Sequence, residues 1–509
     1  MIYNKKYLPV LLAFLFGAAS VLGFAPFYLF PVPIVAVAGL CYLWAKAGTP
    51  QAAWLLGFSY GLGLYCVGIY WIYISLHDFG GMPWWFAGFC TFCLCAFMAL
   101  FVGLVGYFSK KLSRGKQAWL WLSVPVLWGL SDWIRSWIFT GFPWLTMGYS
   151  QVPHSPLAGF MPIVGVYGVS VITVFISAVI GFWLAQNNQI SQQKPLFIRN
   201  SIAALTLIIV AGFTLKTVEW TTPIGAPIKV ALVQGNIAQS TKWSPEKAQG
   251  TIDQYLSMLQ ASKADLIILP ETALPVISSQ LDESVKNTIL THAKQHPLII
   301  GMVEYDEKTN AYFNSALGFS DAAFGESATQ SYAKNHLVPF GEYIPLKKLF
   351  GWIYRDWLNM PLSDLSRGGT QQQPMRLAGQ KIGVNICYED VFGEEIIRQL
   401  PAATLLVNIS NDAWYGKSYA AQQHMQFSQA RALETGRYML RATNTGATAA
   451  IDTHGFVFAH APHDVQTTLD VTAQGYTGST PYVRWGNWPF IVFCFAAMAF
   501  VTIRKVQLK

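Results

Sequence analysis

Eight apolar stretches, at residues 8–27, 31–46, 52–74, 83–109, 118–138, 162–186, 200–217 and 487–503, constrain this 509-residue chain more than any other feature. A helix of roughly 20 apolar residues crosses a bilayer, and these stretches reach or approach that length. With 53% hydrophobic residues, a mean hydropathy of +0.34 and 12% charged residues, about half the usual share, the chain cannot have water as its only solvent. Seven spans are expected before a long polar segment and one after it. The first two are divided only by FYLFPVP, whose prolines and aromatics suit an interfacial turn. A cleaved leader is the competing reading of the N-terminus. The apolar pattern resumes at once, however, and a retained first helix is simpler.

Basic residues in short loops set orientation. Lys5, Lys6, Lys46, Lys110, Lys111, Arg114, Lys116, Lys194, Arg199, Arg504, Lys505 and Lys509 all fall on one side of an eight-span arrangement. The loops of the other side, around 28, 75–82 and 139–161, contain no Lys or Arg. An inside N-terminus then places residues 218–485 outside and returns the C-terminus inside. The expected organisation is a seven-helix membrane domain over 1–217, an outside domain over 218–485, and a final helix with its tail over 486–509. Trp71, Trp84, Trp85, Trp137, Trp144, Trp485 and Trp488 sit near the outer ends of spans, where indoles suit the headgroup zone. The net charge of +8 is thus mainly a topology signal, and nucleic-acid binding is not expected.

Between Ile228 and about Gln474 the pattern becomes that of a layered α/β domain. IKVALVQGNI, ADLIILP, HPLIIGMVEY, KIGVNIC and ATLLVNIS are near-continuous apolar runs suited to strands buried on both faces. Candidate helices lie in PEKAQGTIDQYLSMLQASK, LDESVKNTILTHAKQH, GEEIIRQL and AAQQHMQFSQARALETGR. Shorter strands are expected in YMLRATNTG, ATAAIDTHG, FVFAH and QTTLDV.

Six of the seven cysteines fall in the apolar spans, where cysteine is an ordinary small apolar residue. Cys387, in GVNICYEDVF, is alone in the outside domain. It can form neither a disulfide within that domain nor a four-cysteine metal site. It reads either as an inert buried residue at a strand end or as a nucleophile. Two other segments bear on that choice. ADLIILPETALP delivers Glu271 just beyond an apolar strand, as a turn residue or as a base at a sheet's carboxyl edge. SYAKNHLVPFGEYIP contributes Lys334 and Glu342, with a solvated loop charge the plain reading of the lysine. A thiol, a base and a fixed cation are together the parts that covalent acyl chemistry needs.

LPETALP, YAKNHLVPFGEYIP, GVNICYED and NISNDAWYG closely resemble the motifs of the bacterial apolipoprotein N-acyltransferases, the membrane-embedded branch of the nitrilase superfamily. TGFPWLTMGYSQ and HMQFSQARALETGRYMLRATNTG extend the resemblance over nearly the whole chain. It implies a multi-pass α-helical membrane domain joined to an α/β nitrilase-like αββα sandwich. It also implies Glu271 as general base, Lys334 as stabiliser of the oxyanion and Cys387 as nucleophile, with Glu342, Tyr388 and Glu389 in support. Trp243 and Trp414 are expected to line a pocket or substrate loop. The reaction it implies takes the sn-1 acyl chain of a glycerophospholipid, commonly phosphatidylethanolamine, onto the cysteine. The chain then passes to the α-amine of an S-diacylglyceryl apolipoprotein. No metal or organic cofactor is expected, since the ester carries its own activation. The implied location is the bacterial inner membrane, with the catalytic domain periplasmic and both termini cytoplasmic.

KKLFGWIYRDWLNMP follows the lysine motif with Phe350, Trp352 and Trp357 among a few charges. It reads as a lid that dips into the membrane or as a helix packed on the domain. Three competing classes use the same features. A tethered amidase would share the triad but use water as the second nucleophile. A transporter would need intramembrane charges, of which Asp132 and Arg135 are the main examples. A binding scaffold would leave Cys387 without chemistry.

Overall fold

The computed structural model describes residues 7–113, 119–185, 194–239, 242, 244–320, 330–345 and 364–507. Trp243 and the 346–363 segment, with Phe350, Trp352 and Trp357, lie outside these residues. The chain divides into two compact units. One comprises Met1–Ile72, Trp85–Val218 and Arg484–Lys509, and the other Tyr73–Trp84 and Glu219–Val483.

The first unit is helical. Each apolar window contains a helix: Leu8–Ser20, Pro31–Lys46, Pro50–Gly68, Trp84–Ser113, Leu120–Arg135, Met161–Ala185, Lys194–Lys216 and Trp488–Gln507. By length and composition, three helices among the described residues suffice to cross a membrane: Trp84–Ser113, Pro156–Ala185 and Arg199–Lys216. Taking Pro50–Gly68 with Trp71–Phe79 as one broken span makes four. Leu8–Gly23, Pro31–Lys46 and Trp488–Ile503 are shorter apolar helices. Hydropathy alone led to an expectation of eight spans; by length and composition the described helices supply three or four, and the other apolar helices fall short of that measure.

Glycine permits the close contact between Leu8–Ser20 and Pro50–Gly68. A Cβ on Gly17 would meet the Tyr60 carbonyl oxygen at 1.9 Å, and one on Gly63 would meet that of Phe14 at 2.0 Å. Such small-residue contacts are the usual way for helices to associate where lipid removes the hydrophobic drive. Asp132 and Arg135 are buried and bonded to each other, and they also satisfy nearby backbone. Arg135 Nη1 donates to the Trp144 carbonyl at 3.2 Å, and the Met147 N–H donates to Asp132 Oδ2 at 3.3 Å.

The second unit contains two six-stranded sheets. The first is ordered β12-β1-β2-β3-β4-β5. Its strands are β1 Thr221–Gln234, β2 Leu266–Ile268, β3 Leu298–Asp306, β4 Ala311–Phe319, β5 Gln330–Ala333 and β12 Thr467–Gly478. The second is ordered β11-β10-β9-β8-β7-β6. It is built from β6 Met375–Leu377, β7 Gln380–Ile386, β8 Leu405–Ser410, β9 Met439–Thr443, β10 Ala449–Ile451 and β11 Val457–His460. In each sheet the central three strands run parallel, β1-β2-β3 and β7-β8-β9, and the flanking pairs are antiparallel.

Side-chain alternation explains the layers. Val230, Leu232, Ile268 and Ile299 share one core with Ile382, Val384, Ile386, Val407 and Leu440, so these faces of the two sheets pack together. The other face of the first sheet, with Ala231, Val233, Ile267 and Ile300, packs against Ile252, Tyr255 and Leu259 of helix Pro245–Ala261. Val285 and Ile289 of helix Glu283–Ala293 join the same layer. Both faces are apolar, as the near-continuous hydrophobic runs require.

The outward face of the second sheet is different. It presents Asn385, Asn408, Ser410 and Arg441, all buried. Helix Ala420–Thr435 covers polar groups with polar groups, burying Gln423, His424, Gln426, Ser428 and Arg431. This is an αββα sandwich with two dry layers and one hydrogen-bonded layer.

Candidate active site

The parallel strands end where the chemistry-bearing residues gather. Strand β7 delivers Cys387 to the first position of a tight turn over Cys387–Val391, with φ +54°. A non-glycine residue in this left-handed region costs about 1 kcal/mol or more and persists only where its surroundings hold it. Here Asn408 Nδ2 donates to the Cys387 carbonyl at 3.0 Å, and His424 Nε2 lies 3.2 Å from the same oxygen.

Beyond β2, Glu271 is followed by Thr272 at φ +44°. Gly301 on β3 allows this turn to lie flat on the sheet: a Cβ there would meet the Pro270 carbonyl oxygen at 2.3 Å and Glu271 Cα at 2.6 Å. Lys334 follows β5, and its N–H donates to the Asn314 carbonyl of β4 at 2.8 Å.

These side chains meet in a charged cluster. Lys334 Nζ is 3.4 Å from Glu271 Oε1 and 2.9 Å from Glu342 Oε2, with the lysine side chain 1% exposed. Asn314 Nδ2 bridges the two carboxylates, at 2.7 Å from Glu271 Oε1 and 2.8 Å from Glu342 Oε1. The Val338 N–H donates to Glu342 Oε2 at 2.9 Å, which fixes the far side of that carboxylate. Burial pushes the Lys334 pKa down, but Glu342, Glu271 and Cys387 outweigh it, so the ammonium stays charged.

The thiol of Cys387 is half-buried, near the Ser410 hydroxyl, which donates to Asp412 Oδ1 at 3.1 Å. Burial and the negative charge of Glu271 push its pKa well above the usual range, against the lowering effect of Lys334 and Ser410. At rest it is a neutral thiol that needs a base.

Glu389 ties the cysteine turn to the lysine loop. Its Oε1 accepts from the N–H groups of Asn335 (2.7 Å) and His336 (3.0 Å). Its Oε2 accepts from the Ile386 N–H (2.8 Å) and the Tyr332 hydroxyl (2.9 Å). Burial pushes this carboxyl up to about 7 despite the four donors. Tyr388 packs edge-on against Phe392 at 5.1 Å and against His336 at 5.9 Å, with His336 stacked on Phe392 at 3.7 Å. Trp414 lies in the Asp412–Tyr415 turn that follows β8. Its ring is 6.2 Å from that of Phe79, and its carbonyl accepts from Ser75 Oγ at 2.7 Å. The 73–84 segment, expected as an inter-span loop over 75–82 with the flanking span ends, is therefore part of this unit.

Sequence reasoning did not single out Asn314, Lys242 or the charged group beneath the cysteine. That group is Asp390, Asp412, His424 and Arg441, all completely or almost completely buried. Arg441 Nη1 donates to Asp390 Oδ2 and Asn408 Oδ1, each at 2.9 Å, and Nη2 to Asp412 at 3.1 Å. His424 Nδ1 is 2.9 Å from Asp412 Oδ1 and 2.7 Å from Arg441 Nη2, and Nε2 is 3.0 Å from Asp390 Oδ1. Burial and Arg441 lower the His424 pKa, but the two aspartates prevail and bring it up to about 9. Two cations then balance two anions. Three of the four fall in NISNDAWYG and the HMQFSQARALETGRYMLRATNTG stretch, so the signal was present without a chemical reason attached to it.

Among the described residues no group of three or more His, Cys, Asp or Glu is arranged to hold a metal ion. Residues 16–179 match the family model of the apolipoprotein N-acyltransferase N-terminal domain, and residues 229–482 match the carbon-nitrogen hydrolase model. The apolipoprotein N-acyltransferase of Nitrosomonas europaea is 49% identical over 484 residues, covering 94% of each chain. That of Chromobacterium violaceum is 42% identical over 96% of this chain and 92% of its own. That of Neisseria meningitidis serogroup B is 40% identical over 98% and 97%. With both domain models matched in order and relatives this similar along nearly their whole length, the chain belongs to the apolipoprotein N-acyltransferase family.

Proposed function

We propose that this protein transfers an acyl chain from the sn-1 position of a glycerophospholipid, such as phosphatidylethanolamine, to the α-amine of an S-diacylglyceryl apolipoprotein. The observation that carries the reading is a lone thiol on a strained turn beside a buried Glu271–Lys334–Glu342 cluster. Glu271 takes the proton of Cys387, whose raised pKa makes a base necessary. The sulfur attacks the ester carbonyl, and Lys334 stabilises the charge that develops on the carbonyl oxygen. The carbon–oxygen bond breaks, and the glycerol oxygen leaves with the proton from Glu271 as lysophospholipid. The acceptor amine then attacks the thioester. Its nitrogen gains the acyl chain and gives up a proton to Glu271, which returns it to the displaced sulfur. Glu342, Glu389 and Tyr388 hold the lysine and cysteine loops in register.

Both substrates are lipids, and exposing an acyl chain to water costs about 0.8 kcal/mol per methylene. A membrane-embedded body avoids that cost. In this reading the eight apolar helices are eight spans, with 1–217 and 486–509 in the inner membrane and 218–485 periplasmic. Both termini are cytoplasmic. Trp243, Trp414 and the 346–363 segment with Phe350, Trp352 and Trp357 serve substrate entry.

Purified protein given phosphatidylethanolamine alone should gain one acyl mass on the peptide containing Cys387 and release lysophospholipid. Adding an S-diacylglyceryl peptide should discharge it as an N-terminal amide. Cys387→Ala should do neither. An acyl chain on another residue, or wild-type turnover by a folded Cys387→Ala protein, overturns the mechanism. Release of free fatty acid in place of the amide favours a hydrolase.

A further inference from the structure

A second lysine is buried at the site, and the mechanism above gives it no task. Lys242 lies in the connection between β1 and helix Pro245–Ala261, with 2% of its surface exposed. Its ammonium donates to the Glu271 carbonyl oxygen at 3.1 Å and to Thr272 Oγ1 at 2.6 Å. Among the described residues no carboxylate lies within ion-pairing distance of it. Burying an ammonium against only a carbonyl and a hydroxyl is expensive, and a neutral donor would make the same two bonds more cheaply. Its partners are not arbitrary. They are the backbone of Glu271 and the side chain of Thr272, the β-branched residue held in the left-handed region. Gly301 supports this turn from below, and Lys242 ties it from the connection that follows β1.

We propose that Lys242 is a positioning residue of the acyl-transfer site, clamping the strained turn that carries Glu271. The proposal rests on the reading of Glu271 as the base. The titratable groups that face Lys242 are Glu271, after β2, and Cys387, after β7; Lys334 and Glu342 lie beyond the Glu271 carboxylate. Burial lowers the lysine to about 8, against the opposing pull of Glu271 and Cys387. The clamp is therefore charged at neutral pH and discharges in mildly alkaline solution.

The test is the single-turnover acylation of Cys387 by phosphatidylethanolamine in detergent, without acceptor, from pH 5 to 10. Lys242→Gln should acylate at least tenfold more slowly at pH 7 and should lack the decline above about pH 8 that discharge of Lys242 is expected to give wild type. Lys242→Arg should recover most of the rate and lack the decline expected of wild type above about pH 8, since a guanidinium does not discharge there. Rates are taken per folded protein, so a stability defect alone leaves the alkaline decline in place and counts against the proposal. If Lys242→Arg does not fold, the alkaline limb of Lys242→Gln decides. Lys242→Gln within twofold of wild type, with the alkaline limb unmoved, overturns it. Glu271→Gln run in parallel separates the two readings. Full acylation by Glu271→Gln removes the base itself, whereas an inert Glu271→Gln beside a fully active Lys242→Gln removes only the role of Lys242.

Discussion

Lys334 shows how an interaction that keeps a site charged also keeps it folded. Its ammonium is the shared counter-ion of two carboxylates that are about nine-tenths buried and bridged by one amide. Removing one partner of such a group leaves uncompensated buried charge and typically costs about 3–5 kcal/mol. Lys334→Met should therefore lower thermal stability markedly as well as abolish acylation. Adding Glu342→Gln should return much of the stability, because one of the stranded charges is gone, but none of the activity. Melting temperatures and acylation rates of the two single variants and the double variant test this. Additive losses of stability would mean that the two residues do not act as a pair.

The helix Ala420–Thr435 and the sheet face beneath it form an element whose interior is ionic. His424 has a folded pKa of about 9 against an ordinary value near 6.5. A raised pKa means that protonated His424 stabilises the fold fully below about pH 6.5. That contribution fades as pH rises through 9, by on the order of 3 kcal/mol at most. The melting temperature should accordingly fall between about pH 7 and 9.5, and His424→Gln should start lower and flatten that slope. An unchanged slope in His424→Gln would show that the titrating group lies elsewhere. This element also marks how far the sequence could be read. Continuous apolar runs announced β1, β2, β3, β7 and β8, because burial on both faces leaves an unmistakable pattern. The strands β4, β5 and β6 were not legible, being short or studded with polar residues such as Asn314 and Gln330. Helix Ala420–Thr435 was legible as a helix but not as a buried one. Hydropathy assigns its Gln, His and Arg residues to solvent and does not register that Asp390, Asp412 and Asn408 wait for them. Glu271, Lys334, Glu342, Tyr388, Glu389 and Cys387 were named from motifs, and their elements come together in space. Lys242, a single cation in a connecting segment, had nothing to mark it.

At the scale of the whole molecule the proposed arrangement predicts sidedness. Lys263 and Lys308 are exposed on the second unit. In membrane preparations of known orientation, an impermeant amine reagent should reach both from the periplasmic face and neither from the cytoplasmic one. Labelling from the cytoplasmic face alone would invert the proposed arrangement and separate the site from exported lipoproteins. The pairing of β1 with β12 carries a further consequence. Thr221 lies opposite Gly478 and Gln234 opposite Thr467, so the first strand of the domain is completed by its last. A ribosome must therefore deliver the chain as far as Gly478 before this sheet can close. Until then β1 has a bare edge of amide and carbonyl groups, able to pair with any strand that arrives first. Chains that terminate early would be shorter, and they would also be adhesive. Quality-control proteases and chaperones working on this protein during its biogenesis face a nascent domain that stays unsealed until its final strand emerges.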